Sequence, residues 1–496
     1  MIKLKSNVLF NFIGNGWLGV LTLIVTPIQV RLLGIEAFGF VGLIAILQIL
    51  LSSLDLGISA TVNKALSSDH SSDHHESIKA VNTASTIYWL TALAISALVL
   101  CTSESIATDW LGNTKLDSKT VHTGLQLIGI YLCLRWPVSF YMSVISGLQR
   151  MDLLNAIKIL AQTLRLGGSV IVLLLVPTLT AFLLWFAVSA AVELLLYYAV
   201  TRKLLPELRL TPYFSKQAFS NLWRYSTLMN FITLTALVLS QADRIAVTKL
   251  LSLEALGYYT IAYTAATIIS LIQHAINTAS FPAFAFSYSR GAQGELKSRY
   301  NKASQLMSIV VVLPCCAIIF FGYTILSFWI NADAADAAAA SMVLLAIGFS
   351  LNALVSNAYV AAISCGKPEI PLKVNLLALI LYLPGLYAAT TYFGLIGAAA
   401  SYAGLNLFYL LTLLPAVQNS IIRQGHFKSL QKNLYPFVLI GLMAFSFGKM
   451  LLPVFDTTTL SSIALITGCS IVYLICSYFY LSPDLQHDLV STLKPK

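Results

Sequence analysis

Charge is what this chain has least of. Asp, Glu, Lys and Arg make up 10% of its 496 residues, while 58% are hydrophobic. A soluble domain carries roughly 25% charged residues, so a water-solvated globule is excluded. The mean hydropathy of +0.80 points instead to a chain solvated by lipid. Long polar stretches are lacking too, and no separate soluble domain fits between the apolar runs. There is no phosphate-cradling glycine loop and no spacing of a catalytic triad. The seven cysteines are an odd number, most lie in apolar runs, and no pair has metal-ligand spacing. They read as small buried hydrophobes. No cofactor, no metal and no covalent catalysis are expected from these absences.

What is present is a series of apolar runs, each near the roughly 20 residues that cross a bilayer. They lie near 8–30, 38–61, 82–101, 122–146, 153–176, 178–200, 223–248, 256–281, 304–328, 341–363, 370–389, 393–417, 434–453 and 460–481. Lys3 and Lys5 before the first run imitate a signal peptide. That run is too long and lacks a small-residue cleavage site, so it is expected to stay as the first helix. Val176-Pro177-Thr178 is expected to be a tight turn between two spans.

The net charge of +10 invites a nucleic-acid reading, which the placement of the charge removes. With the N-terminus in the cytoplasm, 22 of the 30 Lys and Arg fall on inner segments and 5 on outer ones. Arg135, Arg165 and Arg244 remain, within spans. Such a split is the positive-inside signature. It implies an even helix count, both termini cytoplasmic, and no nucleic-acid partner.

The chain also repeats itself. Arg31-Leu-Leu-Gly-Ile-Glu-Ala-Phe-Gly39 returns as Lys249-Leu-Leu-Ser-Leu-Glu-Ala-Leu-Gly257. Glu36 falls on Glu254 and Gly39 on Gly257, at an offset of 218 residues. At the same offset Tyr141–Ser146 aligns with Tyr359–Ser364. Six spans separate the copies, so both begin on one side of the membrane, as in a parallel repeat about the membrane normal. The expected fold is therefore all-α and integral to the membrane, with 14 transmembrane helices. Two pseudo-twofold-related six-helix lobes span 1–215 and 216–425, and two extra C-terminal helices with a cytoplasmic tail span 426–496.

Asn7, Asn11 and Asn15, the Leu-Leu-Gly…Phe-Gly motif, and Leu54-Asp55-Leu-Gly57 together resemble the opening of bacterial polysaccharide-unit flippases. These belong to the multidrug/oligosaccharidyl-lipid/polysaccharide exporter superfamily. Gln241-Ala-Asp-Arg-Ile-Ala-Val, followed by Leu-Glu-Ala-Leu-Gly-Tyr-Tyr, is similar to that family's seventh helix and the hairpin after it. The resemblance runs over essentially the whole chain. It implies export of an undecaprenyl-diphosphate-linked oligosaccharide, such as an O-antigen unit, from the inner to the outer leaflet of the bacterial inner membrane. It also implies contact with membrane lipids and partnership with a polysaccharide polymerase and a chain-length regulator.

An arginine at the bilayer centre costs about 2.5–3.5 kcal/mol on insertion scales, so it faces a wet cavity or a partner. Arg135 and Arg165 lie midway along consecutive spans and should sit at similar depth. Their repeat mates are Ala353 and Leu383, so the charge is one-sided. Two readings stand for them: an anionic headgroup held by guanidinium forks, or a structural ion pair with Glu193 or Asp55. Arg244 and its neighbour Asp243 lie in the seventh span. Arg244 is a further headgroup candidate, and Asp243 a proton or sodium site alongside Glu193 and Asp55. A solvated helix cap is the plainer reading of Asp55. Arg31 and Lys249 suit either a phosphate-attracting exit or the capping of helix-end carbonyls. Asn7, Asn11 and Asn15 recur every four residues as one polar stripe, facing a lumen or a neighbouring helix. His274 reads as packed, and His70, His74 and His75 with Asp69, Asp73 and Glu76 as a solvated loop.

Three competing readings are open at this level, one of them a purely structural membrane scaffold. A multidrug or cation exporter of the same superfamily would line one lobe with carboxylates and bury few arginines. A membrane polysaccharide polymerase or ligase would want a large outer domain, yet the longest outer loop spans only about 102–121.

Overall fold

The computed structural model of the chain describes all residues except 1, 54, 56–57, 68–73, 112–113, 209–211, 216–226, 453–458 and 488–496. At 2–15, 52–53, 60, 64–65, 67, 74–76, 227–233 and 459–460 it describes the backbone alone. Among the described residues every regular element is helical. That is what lipid demands, because a helix satisfies its own backbone hydrogen bonds. Each of the fourteen apolar runs overlaps a helix. By length and hydropathy, ten helices among the described residues are able to cross a bilayer, or eleven with one bent pair taken as a span. The expected count of fourteen thus exceeds what these criteria meet. Ile35–Leu51, for instance, is apolar but short.

The chain divides into two compact units, Met1–Thr260 and Ile261–Lys496. The first holds α1 (Ile2–Leu33), α2 (Ile35–Ser53), short α3 (Ile58–Ser67), α4 (His74–Ser105), α5 (Ser118–Gly147), α6 (Met151–Leu175), α7 (Leu179–Leu204) and α8 (Thr227–Leu250). It also holds the start of α9 (Leu253–Ala266). The turn at 176–178 is where the sequence places it, and the Thr178 hydroxyl caps α7 by accepting from the Ala181 amide at 3.3 Å. The second span ends earlier than expected, at Ser53. Asp55 explains the break: its carboxylate accepts from the Ser59 amide (3.2 Å) and hydroxyl (3.0 Å), which starts α3. An aromatic core of Tyr88, Trp136, Phe140, Tyr141 and Tyr197 locks α4, α5 and α7 together. Tyr88 and Trp136 lie 5.4 Å apart, centroid to centroid.

The two copies of the repeated motif meet inside this unit. A Cβ on Gly39 would strike the Leu253 carbonyl, and one on Gly257 would strike the Ile35 carbonyl. Ile35 and Leu253 are themselves repeat mates, so the contact is reciprocal. Each glycine admits the other copy's backbone, which no larger residue permits. Residues 114–115 then strap the pair. Glu36 Oε1 accepts from the Lys115 amide at 2.6 Å and from the Thr114 hydroxyl at 2.8 Å. The Lys115 ammonium sits 2.7 Å from Glu254 Oε2, and that carboxylate raises the lysine pKa above its ordinary value.

The second unit holds the end of α9, α10 (Ile268–Ser289), α11 (Gln293–Trp329), α12 (Ala332–Ser364), α13 (Glu369–Val417), α14 (His426–Asn433), α15 (Tyr435–Leu451) and α16 (Thr459–Phe479). Asn331 caps α12 by accepting from the Ala334 amide at 2.8 Å. α13 is two legs, broken at Gly394 with φ 59° and ψ −136°, which matches the two runs near 370–389 and 393–417. The run near 256–281 is expected as one continuous span, but α9 and α10 meet at a 43° bend. At the break the Thr267 hydroxyl donates to the Thr264 carbonyl at 2.7 Å, a side-chain bond that competes with the helical ladder. The two extra C-terminal helices dock on α11. Phe321, Phe437, Phe445 and Tyr473 are fully buried there, and the Tyr473 hydroxyl reaches the Ile309 carbonyl at 2.9 Å.

Candidate functional site: two arginines on one carboxylate

The strongest polar feature of the first unit is built from α5, α6 and α7. Glu193 on α7 is 2% exposed. Its Oε2 accepts a hydrogen bond from the Arg165 guanidinium of α6, and the Arg135 Nε of α5 lies 3.7 Å from the same oxygen. The sequence placed the two arginines at similar depth, and the structure brings them to one atom. Tyr131, one turn before Arg135, completes the group. Its hydroxyl accepts from Arg165 at 3.3 Å and from the Gln48 amide of α2. Its ring lies under the Arg165 guanidinium at 5.6 Å, a cation–π distance.

The arginines are not equivalent. Arg165 is sealed, with a side chain 5% exposed and bonds to Glu193 and Tyr131. Arg135 is 23% exposed, its contact to Glu193 is beyond hydrogen-bond length, and its Nε has no hydrogen-bond partner among the described residues. One carboxylate against two guanidiniums leaves an excess positive charge, and the accessible share of it belongs to Arg135. Lys158 lies close enough to Arg135 for the two cations to interact.

A second buried pair sits on α8 and α9. Asp243 is fully buried, with Oδ2 accepting from the Tyr259 hydroxyl at 2.7 Å and Oδ1 without a partner among the described residues. Arg244, 3% exposed, donates to Gln241 one turn back. Adjacent helix residues diverge by about 100°, so the two side chains take different partners. The remaining candidates scatter. Asp55 is the cap of α3 described above. Arg31 is exposed in the last turn of α1. Its repeat mate Lys249 donates to the Asp109 carbonyl at 3.2 Å and lies over the Trp110 ring at 5.2 Å. His274 is exposed on α10. The side chains of Asn7, Asn11, Asn15, His70, His74 and His75, with Asp69, Asp73 and Glu76, lie outside the described residues.

The sequence reading missed Tyr131, Gln48 and Tyr259. Tyr131 was findable, because it lies four residues before Arg135 on one helical face. Gln48 and Tyr259 carry no such local signal.

Fold and site together define a class: a multi-pass helical membrane protein whose spans enclose a net-cationic polar cluster. The family model described as "Polysaccharide biosynthesis protein" matches residues 4–287, and the chain belongs to that family. A Shigella flexneri protein named "Putative O-antigen transporter" is 22% identical over 407 residues, covering 81% of this chain and 94% of that one. Among solved structures, the lipid II flippase MurJ in an inward closed conformation is similar with a TM-score of 0.76 at 15% identity, covering 97% of this chain and 100% of MurJ. An inward-facing multidrug resistance MATE transporter of the MOP superfamily follows at 0.63 and 14% identity, covering 81% and 96%. These likenesses establish an exporter-type helical fold.

Proposed function

We propose that this protein is a flippase that carries a prenyl-diphosphate-linked oligosaccharide, of the O-antigen kind, from the cytoplasmic to the periplasmic leaflet of the bacterial inner membrane. Its two six-helix lobes, 1–215 and 216–425, alternate access around a central path, and both termini are cytoplasmic. Family membership and the named relative support the polysaccharide class. The observation that carries the reading is the shared carboxylate. Glu193 neutralises Arg165, and Arg135, with a side chain 23% exposed and a looser contact to Glu193, is left as the cation for an anion. Arg165 then acts as a positioning residue: it holds Glu193, which fixes where Arg135 stands. A diphosphate outcompetes a carboxylate 3.7 Å away, because a guanidinium fork binds phosphate oxygens in pairs.

Moving about two negative charges outward against 100 mV, inside negative, releases roughly 4–5 kcal/mol. The protein's task is to lower the barrier for the headgroup. The reciprocal contact of Gly39 and Gly257 closes the outer end and must part before release. Arg31 and Lys249 flank that exit, and Arg244 extends the cationic wall.

The test is transport of a labelled prenyl-diphosphate oligosaccharide in vesicles holding the purified protein. Arg135→Ala should cut the rate by about 100-fold or more, in line with losing a charge-assisted bidentate contact, while the protein inserts normally. Undiminished flipping in that variant would sink the headgroup site.

For ion coupling, Asp243 is better placed than Glu193, already engaged by two cations, or Asp55, which caps α3. Its free Oδ1 offers a buried oxygen to a proton or sodium ion. Asp243→Asn should therefore remove the dependence of flipping on an imposed pH or sodium gradient. A gradient response equal to wild type would exclude it.

A further inference from the structure

The second unit has no counterpart to the charged cluster. Ala353, Leu383 and Leu411 occupy the positions repeat-related to Arg135, Arg165 and Glu193. One residue before Ala353, however, begins a relay of neutral amides. Asn406 on the second leg of α13 donates to the Tyr402 carbonyl at 2.9 Å. Its Oδ1 accepts from Asn352 Nδ2 of α12 at 2.8 Å. Asn352 Oδ1 in turn accepts from Gln273 Nε2 of α10 at 3.0 Å. A carbonyl only accepts, so Tyr402 fixes the sense of all three amides. The relay has one possible open end, the Gln273 Oε1. One turn further along α10, the Asn277 Oδ1 meets the Ser356 hydroxyl at 3.1 Å, which turns its Nδ2 outward.

Neither Gln273 Oε1 nor Asn277 Nδ2 has a partner among the described residues, and both side chains are only half-buried. The face is thus a fixed acceptor and a fixed donor one turn apart, with Cβ atoms about 5–6 Å from each other. It carries no charge. Interhelical glue would need only the inner bonds, and apolar side chains at the open end would cost less in lipid. The helix that presents this face is also broken at Thr267, less than two turns earlier. Broken spans in transporters are tolerated where they line a cavity.

We propose that Gln273 and Asn277 form a sugar subsite, which pairs with hydroxyl groups of the oligosaccharide while its diphosphate is held elsewhere. Each hydroxyl both donates and accepts, so an oriented acceptor beside an oriented donor suits a neutral saccharide better than an anion or a cation. Tyr402, Asn406 and Asn352 are positioning residues that orient Gln273. Tyr402 also packs against Phe349 with ring centroids 5.2 Å apart, and Phe349 meets Tyr263 edge-on at 5.0 Å. This inference rests on the flippase reading above and adds to it where the sugars are read.

The test uses the purified full chain and two probes: a prenyl diphosphate carrying a neutral tetrasaccharide, and the same prenyl diphosphate without sugar. Wild type should bind the sugar-bearing probe more tightly. Gln273→Met and Asn277→Leu should each weaken that probe by about 5–10-fold, one hydrogen bond's worth, and leave the bare probe unchanged. Equal weakening of both probes would mean the relay is structural, and would overturn the subsite. So would an unchanged preference for the sugar-bearing probe in both variants. If wild type binds neither probe, the flippase reading falls first and takes the subsite with it. Arg135→Ala separates the two ideas, since it should weaken both probes alike.

Discussion

Within the first unit, α5, α6 and α7 gather two guanidiniums around one carboxylate. In the second, α10, α12 and α13 link three amides in a chain. At an offset of 218 residues α12 answers to α5 and the two legs of α13 to α6 and α7, whereas α10 answers to the region of α3, so repeat-related helices carry two chemistries. The difference lies in what each is able to hold. Oppositely charged side chains in lipid must be paired, and any surplus charge waits for a counter-ion. Amides carry no surplus, and their open ends wait for a hydroxyl. The two units thus carry unlike polar clusters, one with surplus charge and one without. Symmetry survives where backbones touch, at Gly39 and Gly257, and is lost at the charged cluster, whose repeat mates are Ala353, Leu383 and Leu411.

The hardest blow to this contrast is Glu193→Leu. It strands Arg165, which is 5% exposed, without its counter-charge. Removing one partner of a buried pair typically costs about 3–5 kcal/mol, so the variant should melt far below wild type or fail to accumulate in the membrane. Its repeat mate Leu411 is exposed, and Leu411→Ala should leave the melting temperature near wild type. Equal thermal stability of the two variants would erase the distinction between a paired and an unpaired lobe.

A smaller effect is expected from Arg135→Lys. The ammonium keeps the charge and loses the fork. If phosphate is bound bidentately, flipping should fall by about tenfold, short of the loss in Arg135→Ala. Wild-type rates in the lysine variant would show that charge alone matters, and that the cluster is a field rather than a site.

Much of the fold was legible because lipid makes helix composition nearly binary. Apolar runs and the turn at 176–178 follow from local composition, whereas Glu193 was one of two partners left open for Arg165 until the structure paired them. The breaks were less legible. The helix bends at Thr267, with no proline or glycine there to announce it. The amide relay was hidden for a different reason. Its members stand 79 and 54 residues apart, and polar residues that far apart show no pattern along the chain. Two local hints did exist. Gln273 with Asn277, and Asn352 with Ser356, are polar pairs spaced four apart in apolar helices, each marking one face. Lys115 counted only as one outer cation among five. Nothing short of tertiary structure shows that its amide and its ammonium bridge two copies of a repeat.

That bridge gives the mildest prediction. The glycine contact is symmetric and backbone-made, whereas the strap is one-sided and made by an exposed side chain. Lys115 is 78% exposed, and exposed ion pairs contribute little to stability. Because Glu254 raises the lysine pKa, the lysine's contribution is fully present below the ordinary lysine range and is lost as pH climbs through the raised value. Between pH 6 and 9, then, the strap should be insensitive to pH and sensitive to salt. Opening can be read by thiol labelling of Ala37→Cys, a position 5% exposed at the contact. The exposed Cys101 and Cys476 would first be replaced by serine. Lys115→Met should raise labelling by about twofold, the scale of one weak surface pair. Gly39→Val, which drives a side chain into the Leu253 carbonyl, should raise it several times more. If the lysine variant opens as far as the valine variant, the strap and not the paired glycines holds that end shut. The repeat would then be a relic of duplication at the one place where it still looks functional.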